Sequence, residues 1–248
     1  MKISIVINTY NAEKHLDAVL HSVRAFDEIV ICDMYSTDNT INIAKKYHSK
    51  IVFHEKVGFV EPARDFAIQS ASNEWVLVID ADEIVPNELK DFLYQQILNP
   101  NPPQGIKIPL KNYYMGQFMH ALYPNYILRF FNKNNVSWPA YIHAQPIITG
   151  RIFEIPHKRK ELALIHLAND SVEQHITKLN NYTNKEVERR NKRYSFFSLV
   201  FSPTFRFFKQ YFIKGGYKDG KAGFCNAAFN AIYKFVTIAK SIEKQMNK

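Results

Sequence analysis

Trp75-Val76-Leu77-Val78-Ile79-Asp80-Ala81-Asp82-Glu83 decides the reading of this chain. An apolar, largely β-branched run ends abruptly in three carboxylates, with one alanine between the first two. Runs of this kind make strands covered on both faces of a parallel sheet. In open α/β sheets, ligands collect where such strands end. Carboxylates gathered at one strand end repel one another, and a shared divalent cation is the usual way to hold them together. The stretch therefore points to an Asp-x-Asp metal site for a phosphorylated donor.

Working outward, the N-terminal third alternates strands and helices. Ile3 to Ile7 is a compact buried strand, followed by the polar turn Thr9-Tyr10-Asn11, with Asn11 placed to cap a helix. From Ala12 to Ala25, apolar residues at 16, 19, 20 and 23 have the spacing of a one-sided amphipathic helix. Glu28 to Cys32 is a second strand ending in Asp33, and Ser36-Thr37-Asp38-Asn39-Thr40 opens a helix to about Tyr47. Ile51 to Phe53 is a short third strand, Pro62 to Ser72 a helix, and Trp75 to Ile79 a fourth strand. This order predicts a doubly wound parallel sheet with right-handed crossovers. Asn8-Thr9, Asp33 and Asp80 then lie along one edge of it. No Gly-rich turn follows the first strand, so a dinucleotide fingerprint is missing, while a nucleotide held by side chains and a metal stays open. Asp33 has two readings: it accepts hydrogen bonds from a base or ribose, or it caps a helix together with Ser36 and Asp38.

The chain's 248 residues suffice for a good core, as one large domain or a domain plus an appendage. At 46% hydrophobic and 22% charged residues it has globular rather than disordered composition. The formal net charge of +9 is concentrated between Arg151 and Lys221, which suggests an anionic partner, membrane phospholipid or nucleic acid. Cys32 and Cys225 supply neither a disulfide framework nor a metal cluster and fit a reducing cytosol. The apolar start at Met1 is too short for a signal peptide. No run of eighteen apolar residues occurs, so no membrane-spanning helix is expected.

Several fragments together resemble the inverting nucleotide-sugar glycosyltransferases of family 2, with the GT-A fold. They are Ile5-Val6-Ile7-Asn8-Thr9-Tyr10-Asn11, Asp27-Glu28-Ile29-Val30, Asp33-Met34-Tyr35-Ser36-Thr37-Asp38-Asn39-Thr40 and Asp80-Ala81-Asp82-Glu83. A closer resemblance, over nearly the whole chain, is to the bacterial subgroup that includes lipopolysaccharide core β-glucosyltransferases. Its marks are Gly58-Phe59 with Arg64, Tyr123-Pro124 before Leu128-Arg129-Phe130, His143, His166, Lys178 to Tyr182, and the tail from Tyr211 to Gly220.

The resemblance implies a GT-A sheet flanked by helices and a nucleotide-diphosphate sugar donor held with Mg²⁺ or Mn²⁺. The donor-binding set would be Thr9, Tyr10, Asn11, Asp33, Arg64, Asp80, Ala81 and Arg129. Thr9 and Asp33 would hold the nucleoside, Arg64 the ribose or diphosphate region, and Asp80 the ribose and sugar side. Arg129 either neutralises diphosphate or buttresses the sheet. Asp82 would bind the metal, with His166 added to it or capping the core. The acceptor would be a glycan or glycolipid of the cell envelope. The subgroup carries His-Glu where this chain reads His143-Ala144, and that Glu is the natural base for deprotonating the acceptor. Its loss leaves His143, or a carboxylate such as Glu83, for the role, or else leaves a carbohydrate- and nucleotide-binding protein with impaired turnover. Asp65 is a smaller departure, where the subgroup tends to an amide.

Ile106 to Leu110 and Tyr126 to Phe131 are expected as strands. The aromatic segment between them, Asn112 to Pro124, suits the face of a sugar ring or simply packs over the sheet. Residues 1–170 are expected to form the catalytic domain, and 171–248 a basic, aromatic-rich helical extension packed on it. In that extension, Tyr194 to Phe212 interleaves aromatic rings with cations, a mixture suited to an anionic membrane interface. The same mixture serves single-stranded nucleic acid, but no RNA-binding motif accompanies it, so no nucleic acid is expected. The expected location is cytoplasmic, peripheral on the inner face of the membrane. A nucleotidyltransferase would want a Gly- and Lys/Arg-rich first loop, which is absent. A nucleic-acid binder would explain the charge but not Asp80-Ala81-Asp82.

Overall fold

A computed structural model describes residues 1–56, 61–139, 145–167, 171–189 and 192–246. The chain forms two compact units: Met1–Lys111 with Pro124–Leu167, and Asn112–Tyr123 with Ala168–Lys248.

In the first unit, β1 (Ile3–Thr9) is central. It pairs in parallel with β2 (Glu28–Asp33) on one side and, past β3 (Lys50–Phe53, parallel to β2), with β4 (Trp75–Asp80) on the other. All seven residues of β1 are buried, and their alternation feeds two cores. Ile3, Ile5 and Ile7 pack with Leu16 and Leu20 of α1 (Glu13–Val23), whose inward stripe is the one the spacing predicts. Val6 faces Ala63, Ala67 and Ile68, carried by α3 (Glu61–Ser70). With α2 (Thr40–Lys46) leading to β3, each parallel strand up to β4 is reached through a helix. This is the architecture that requires strands buried on both faces.

Beyond β4 the sheet turns antiparallel. After β5 (Glu83–Ile84) and α4 (Asn87–Ile97), β6 (Gly105–Tyr114) is followed by the two-residue strand β7 (Gln117–Phe118) and then β8 (Asn125–Asn132). Within the first unit, β8 lies antiparallel to both β4 and β6, and β11 (Ile152–Glu154) runs parallel to β6. β12 (Leu164–His166) pairs antiparallel with β5. The α/β fold with a mostly parallel sheet flanked by helices is the expected one for β1 to β4, and the antiparallel strands extend it. No crossover helix separates β6 from β8, and a short connection joins antiparallel neighbours. A separate ribbon pairs β9 (Val136–Ser137) with β10 (Ile147–Ile148).

In the second unit, Tyr113 and Tyr114 form a hairpin with β7 across Met115 and Gly116, both at positive φ (50° and 76°). Two left-handed residues are what a two-residue hairpin turn demands. Among the described residues three α-helices follow: α5 (Val172–Arg189), α6 (Phe196–Phe208) and α7 (Gly220–Met246). A π-helical segment, Lys209–Ile213, and a 3-10 turn, Gly216–Asp219, join the last two. The buried Asp219 carboxylate accepts from the backbone N–H of His120 (2.8 Å) and Ala121 (2.9 Å), and lies 2.7 Å from His120 Nδ1. It thereby anchors the 3-10 turn His120–Leu122.

Candidate active site

The carboxyl ends of β2, β1 and β4 lie side by side, with Thr9 opposite Asp33 and Asn8 opposite Asp80. Two clusters of side chains stand on this edge.

The first is built around Asp33, which is wholly buried. Its carboxylate accepts from Thr9 Oγ1 (2.7 Å), Ser36 N (2.7 Å) and Ser36 Oγ (2.6 Å). Asp33 thus organises the turn after β2. Asn11, at φ 49°, does not cap α1; the N-cap position is Ala12, without a side-chain cap. Its Oδ1 instead accepts from Thr37 N (2.8 Å), while its own N–H donates to Ser36 Oγ (2.8 Å). The loops after β1 and β2 are thereby stitched into one platform. Its rim is aromatic: Tyr10 lies under Lys56 Nζ (3.4 Å to the ring centroid), and the exposed Tyr35 stacks on Phe53 at 5.5 Å.

The second cluster divides the three carboxylates of the strand end. Asp80 is held by Arg64 Nη2 (2.6 Å to Oδ1) and by Arg129 through Nη2 (2.6 Å to Oδ2) and Nη1 (3.3 Å to Oδ1). Burial would raise the Asp80 pKa, but the guanidinium of Arg129, and after it that of Arg64, holds it below the ordinary carboxylate value. Arg64 also lies over the Trp138 ring at 5.2 Å. Glu83, only 1% exposed, accepts from Asp80 N (2.9 Å) and lies 3.9 Å from Arg129. Burial, then the charge of Asp80, pushes its pKa well up. With no open face, Glu83 supports Asp80 and Arg129 from behind.

Asp82 has a different partner from Asp80, although the two are similarly exposed (31% and 37%). Its backbone carbonyl accepts from Leu167 N (2.7 Å), and β12 places His166 opposite Glu83, with His166 Nε2 3.4 Å from Asp82 Oδ2. Both side chains keep some exposure, 28% for His166 and 31% for Asp82. Burial would lower the His166 pKa, but Asp82, with Glu83 and Asp80 behind it, raises it. Among the described residues no three His, Cys, Asp or Glu side chains converge to hold an ion. An oxygen and a nitrogen ligand, both reachable from solvent, do fit a cation that takes its remaining ligands from a phosphorylated substrate and water, as Mg²⁺ and Mn²⁺ sites commonly do.

Of the residues singled out in the sequence, Arg64, Asp80, Asp82, Glu83, Arg129 and His166 come together, and Thr9, Tyr10, Asn11 and Asp33 form the adjoining platform. Ala81 packs half-buried against the main core. His143, Ala144, Gly58 and Phe59 lie outside the described residues. Sequence reasoning missed Trp138 beneath Arg64, and His15 of α1, which lies within electrostatic reach of Asp82 and His166. Neither carries a local signal, because folding alone brings them to the strand end.

The model of the Glycosyl transferase family 2 domain matches residues 4–150. The chain belongs to glycosyl transferase family 2. It is 30% identical to an uncharacterized glycosyltransferase of Rickettsia conorii, over 99% of this chain and 91% of that protein. The lipopolysaccharide core biosynthesis glycosyltransferase LpsC of Rhizobium meliloti is 24% identical over 100% of this chain and 94% of its own. Among solved structures, residues 1–349 of S. aureus TarS, in complex with UDP, match with a TM-score of 0.48 and 18% identity, covering 100% of this chain and 92% of that one. As a family 2 glycosyltransferase the chain is an enzyme that transfers sugar.

Proposed function

We propose that this family 2 enzyme is a metal-dependent, inverting transferase. It moves a sugar from a nucleotide-diphosphate donor to a glycan or glycolipid acceptor in cell-envelope polysaccharide synthesis of the lipopolysaccharide-core type. The observation that carries the reading is the division of labour at the end of β4. Asp80, 37% exposed, is clamped by two arginines, while Asp82, 31% exposed, lies beside His166.

In this reading the Thr9–Asp33–Ser36 platform receives the nucleoside, with Asn11 shaping it and the Tyr10 ring at its rim. Asp33 acts by presenting the turn, since Thr9 and Ser36 already occupy its carboxylate. Arg64 and Arg129 keep Asp80 ionised and aimed at the ribose and sugar side, and the backbone at Ala81 sets the step between the two aspartates. Asp82 and His166 would hold Mg²⁺ or Mn²⁺, which when bound offsets charge on the departing diphosphate. The acceptor hydroxyl attacks the anomeric carbon from the face opposite the diphosphate, inverting it, and a general base takes the proton. His143 is the proposed base.

The protein works in the cytoplasm, at the inner face of the membrane where a glycolipid acceptor would lie, and takes no nucleic acid. Cys32 and Cys225 are both free thiols, in keeping with a reducing compartment. No helix among the described residues is long and apolar enough to cross a membrane. The deciding assay follows release of nucleoside diphosphate from a panel of sugar donors with Mn²⁺ and acceptor. Release should require metal, and Asp82→Ala should abolish it; unchanged release by that variant would remove the metal role. Ala144, where the resembling subgroup carries Glu, favours a second reading as a binding protein with impaired turnover. Donor binding by calorimetry with no turnover on any acceptor would select it.

A further inference from the structure

The second unit carries a cavity that the transfer reaction does not use. It has a volume of about 460 Å³ and is lined by Arg206, Lys209, Lys214, Lys234, Gln210 and Ser202, with no acidic side chain in its wall. Among the described residues none of these four cations has an ion-pair partner; Arg206 and Lys234 make only ring contacts, with Tyr233 (5.9 Å) and Tyr194 (5.3 Å). Gln210 is 7% exposed, and its Nε2 is buried without a hydrogen-bond partner. Four like charges around one hollow repel each other, and a buried amide donor left unsatisfied costs about 1–3 kcal/mol. An anion bearing several acceptor oxygens relieves both, as a phosphate group does.

The same helix displays an unusual surface. Phe196, Phe197, Phe201, Phe205, Phe208 and Phe212 are each more than half exposed, and they follow one face of α6 and its π-helical continuation. The opposite face holds α7: Pro203 is buried there, and Phe207 meets Phe224 at 5.3 Å. Phe205 belongs to both features, since it also lines the cavity. Soluble surfaces rarely leave so contiguous an apolar patch unless something covers it. Phenylalanines flanking a cationic pocket match the depth profile of a lipid interface, with rings among the acyl chains and cations at the headgroups. The rings pack mainly on each other, as Phe208 does on Phe212 at 5.5 Å, and the cations enclose a hollow rather than track a strand. That arrangement suits a headgroup better than a row of bases.

We propose that α6 docks on an anionic membrane surface and that the Arg206–Lys209–Lys214–Lys234 pocket binds the phosphate of a lipid headgroup. The inference deepens the proposed location at the membrane and does not depend on the transfer reaction, so its test, which needs no activity, can fail while the transferase reading stands. The full chain should float with phosphatidylcholine vesicles containing phosphatidylglycerol and remain behind with phosphatidylcholine alone. Binding should fall as salt rises. Lys209→Gln with Lys214→Gln should weaken partitioning roughly 30-fold. Phe201→Ser with Phe205→Ser should remove it even at low salt. All four are surface positions, and circular dichroism checks the fold. For the wild-type chain, glycerol 3-phosphate, a headgroup without chains, should compete for the bound protein. Equal flotation on neutral and anionic vesicles, or flotation indifferent to both double variants, would overturn the proposal. So would thermal stabilisation by inorganic phosphate, or binding of a single-stranded RNA oligonucleotide, in a protein that no vesicle recruits.

Discussion

Two aspartates separated by one alanine have opposite circumstances, and Arg129 is the reason. Its side chain is only 11% exposed, yet it reaches both oxygens of Asp80 and stands 3.9 Å from Glu83. Breaking a fully buried charge pair commonly costs about 3–5 kcal/mol, but Asp80 is 37% exposed and keeps Arg64, so the cost here is smaller. Arg129→Leu should therefore lower the urea midpoint by the equivalent of about 1–3 kcal/mol. Arg129→Lys should recover only part of that loss, because an ammonium cannot reproduce the two-pronged contact. A neutral outcome for Arg129→Leu would mean that Arg64 alone suffices to hold Asp80. The competing expectation, that Arg129 serves the diphosphate directly, predicts instead a stable protein with weakened donor affinity.

At the scale of elements, the strand ends opposite the site are held by one carboxylate. Glu28, the first residue of β2, accepts from Ser4 Oγ on β1 and from Ser72 N (2.8 Å) and Ser72 Oγ (2.7 Å) ahead of β4. Burial would raise its pKa, but these hydrogen bonds outweigh burial and lower it below the ordinary 4.5. A carboxylate whose folded pKa is depressed contributes stability above its unfolded pKa, and that contribution is lost as pH falls through the folded value. The window therefore opens below pH 4.5 and extends downward. Glu28→Gln should be less stable than the wild type at neutral pH. The difference in urea midpoint should shrink steadily as the pH is taken below that value. A gap that stays constant with pH would mean that the charge on Glu28 contributes nothing.

For the molecule as a whole, a ligand that binds only the folded state stabilises it by mass action. A nucleoside diphosphate with Mn²⁺ at about a hundred times its dissociation constant should contribute about 2.7 kcal/mol. For a chain of this size that corresponds to a shift of about 5–10 °C in the melting transition of the unit carrying the site. A panel of nucleoside diphosphates with Mn²⁺ is the probe, read by scanning fluorimetry. The metal-dependent part of the shift should vanish in Asp82→Ala, and an unchanged shift would argue against Asp82 and His166 as ligands. The exposed phenylalanines of α6 belong to this scale too. Their mixture with cations is visible along the chain, but only the folded chain shows that they remain uncovered.

Much of the first unit was legible because its signals are local. Continuous apolar runs, a 3.6-residue apolar stripe at Leu16, Val19, Leu20 and Val23, and a strand that ends in carboxylates each need only a few neighbours along the chain. Those patterns determine the α/β class, the parallel strands β1 to β4, and the edge where Thr9, Asp33 and Asp80 meet. The switch to antiparallel strands, the arginine clamp on Asp80, the burial of Glu83 and the approach of His166 to Asp82 came from folding. They join residues dozens of positions apart, and propensity and spacing encode nothing about such distances. Which carboxylate faces a ligand and which is sealed behind it depends on what packs around the strand end. That packing exists only in three dimensions.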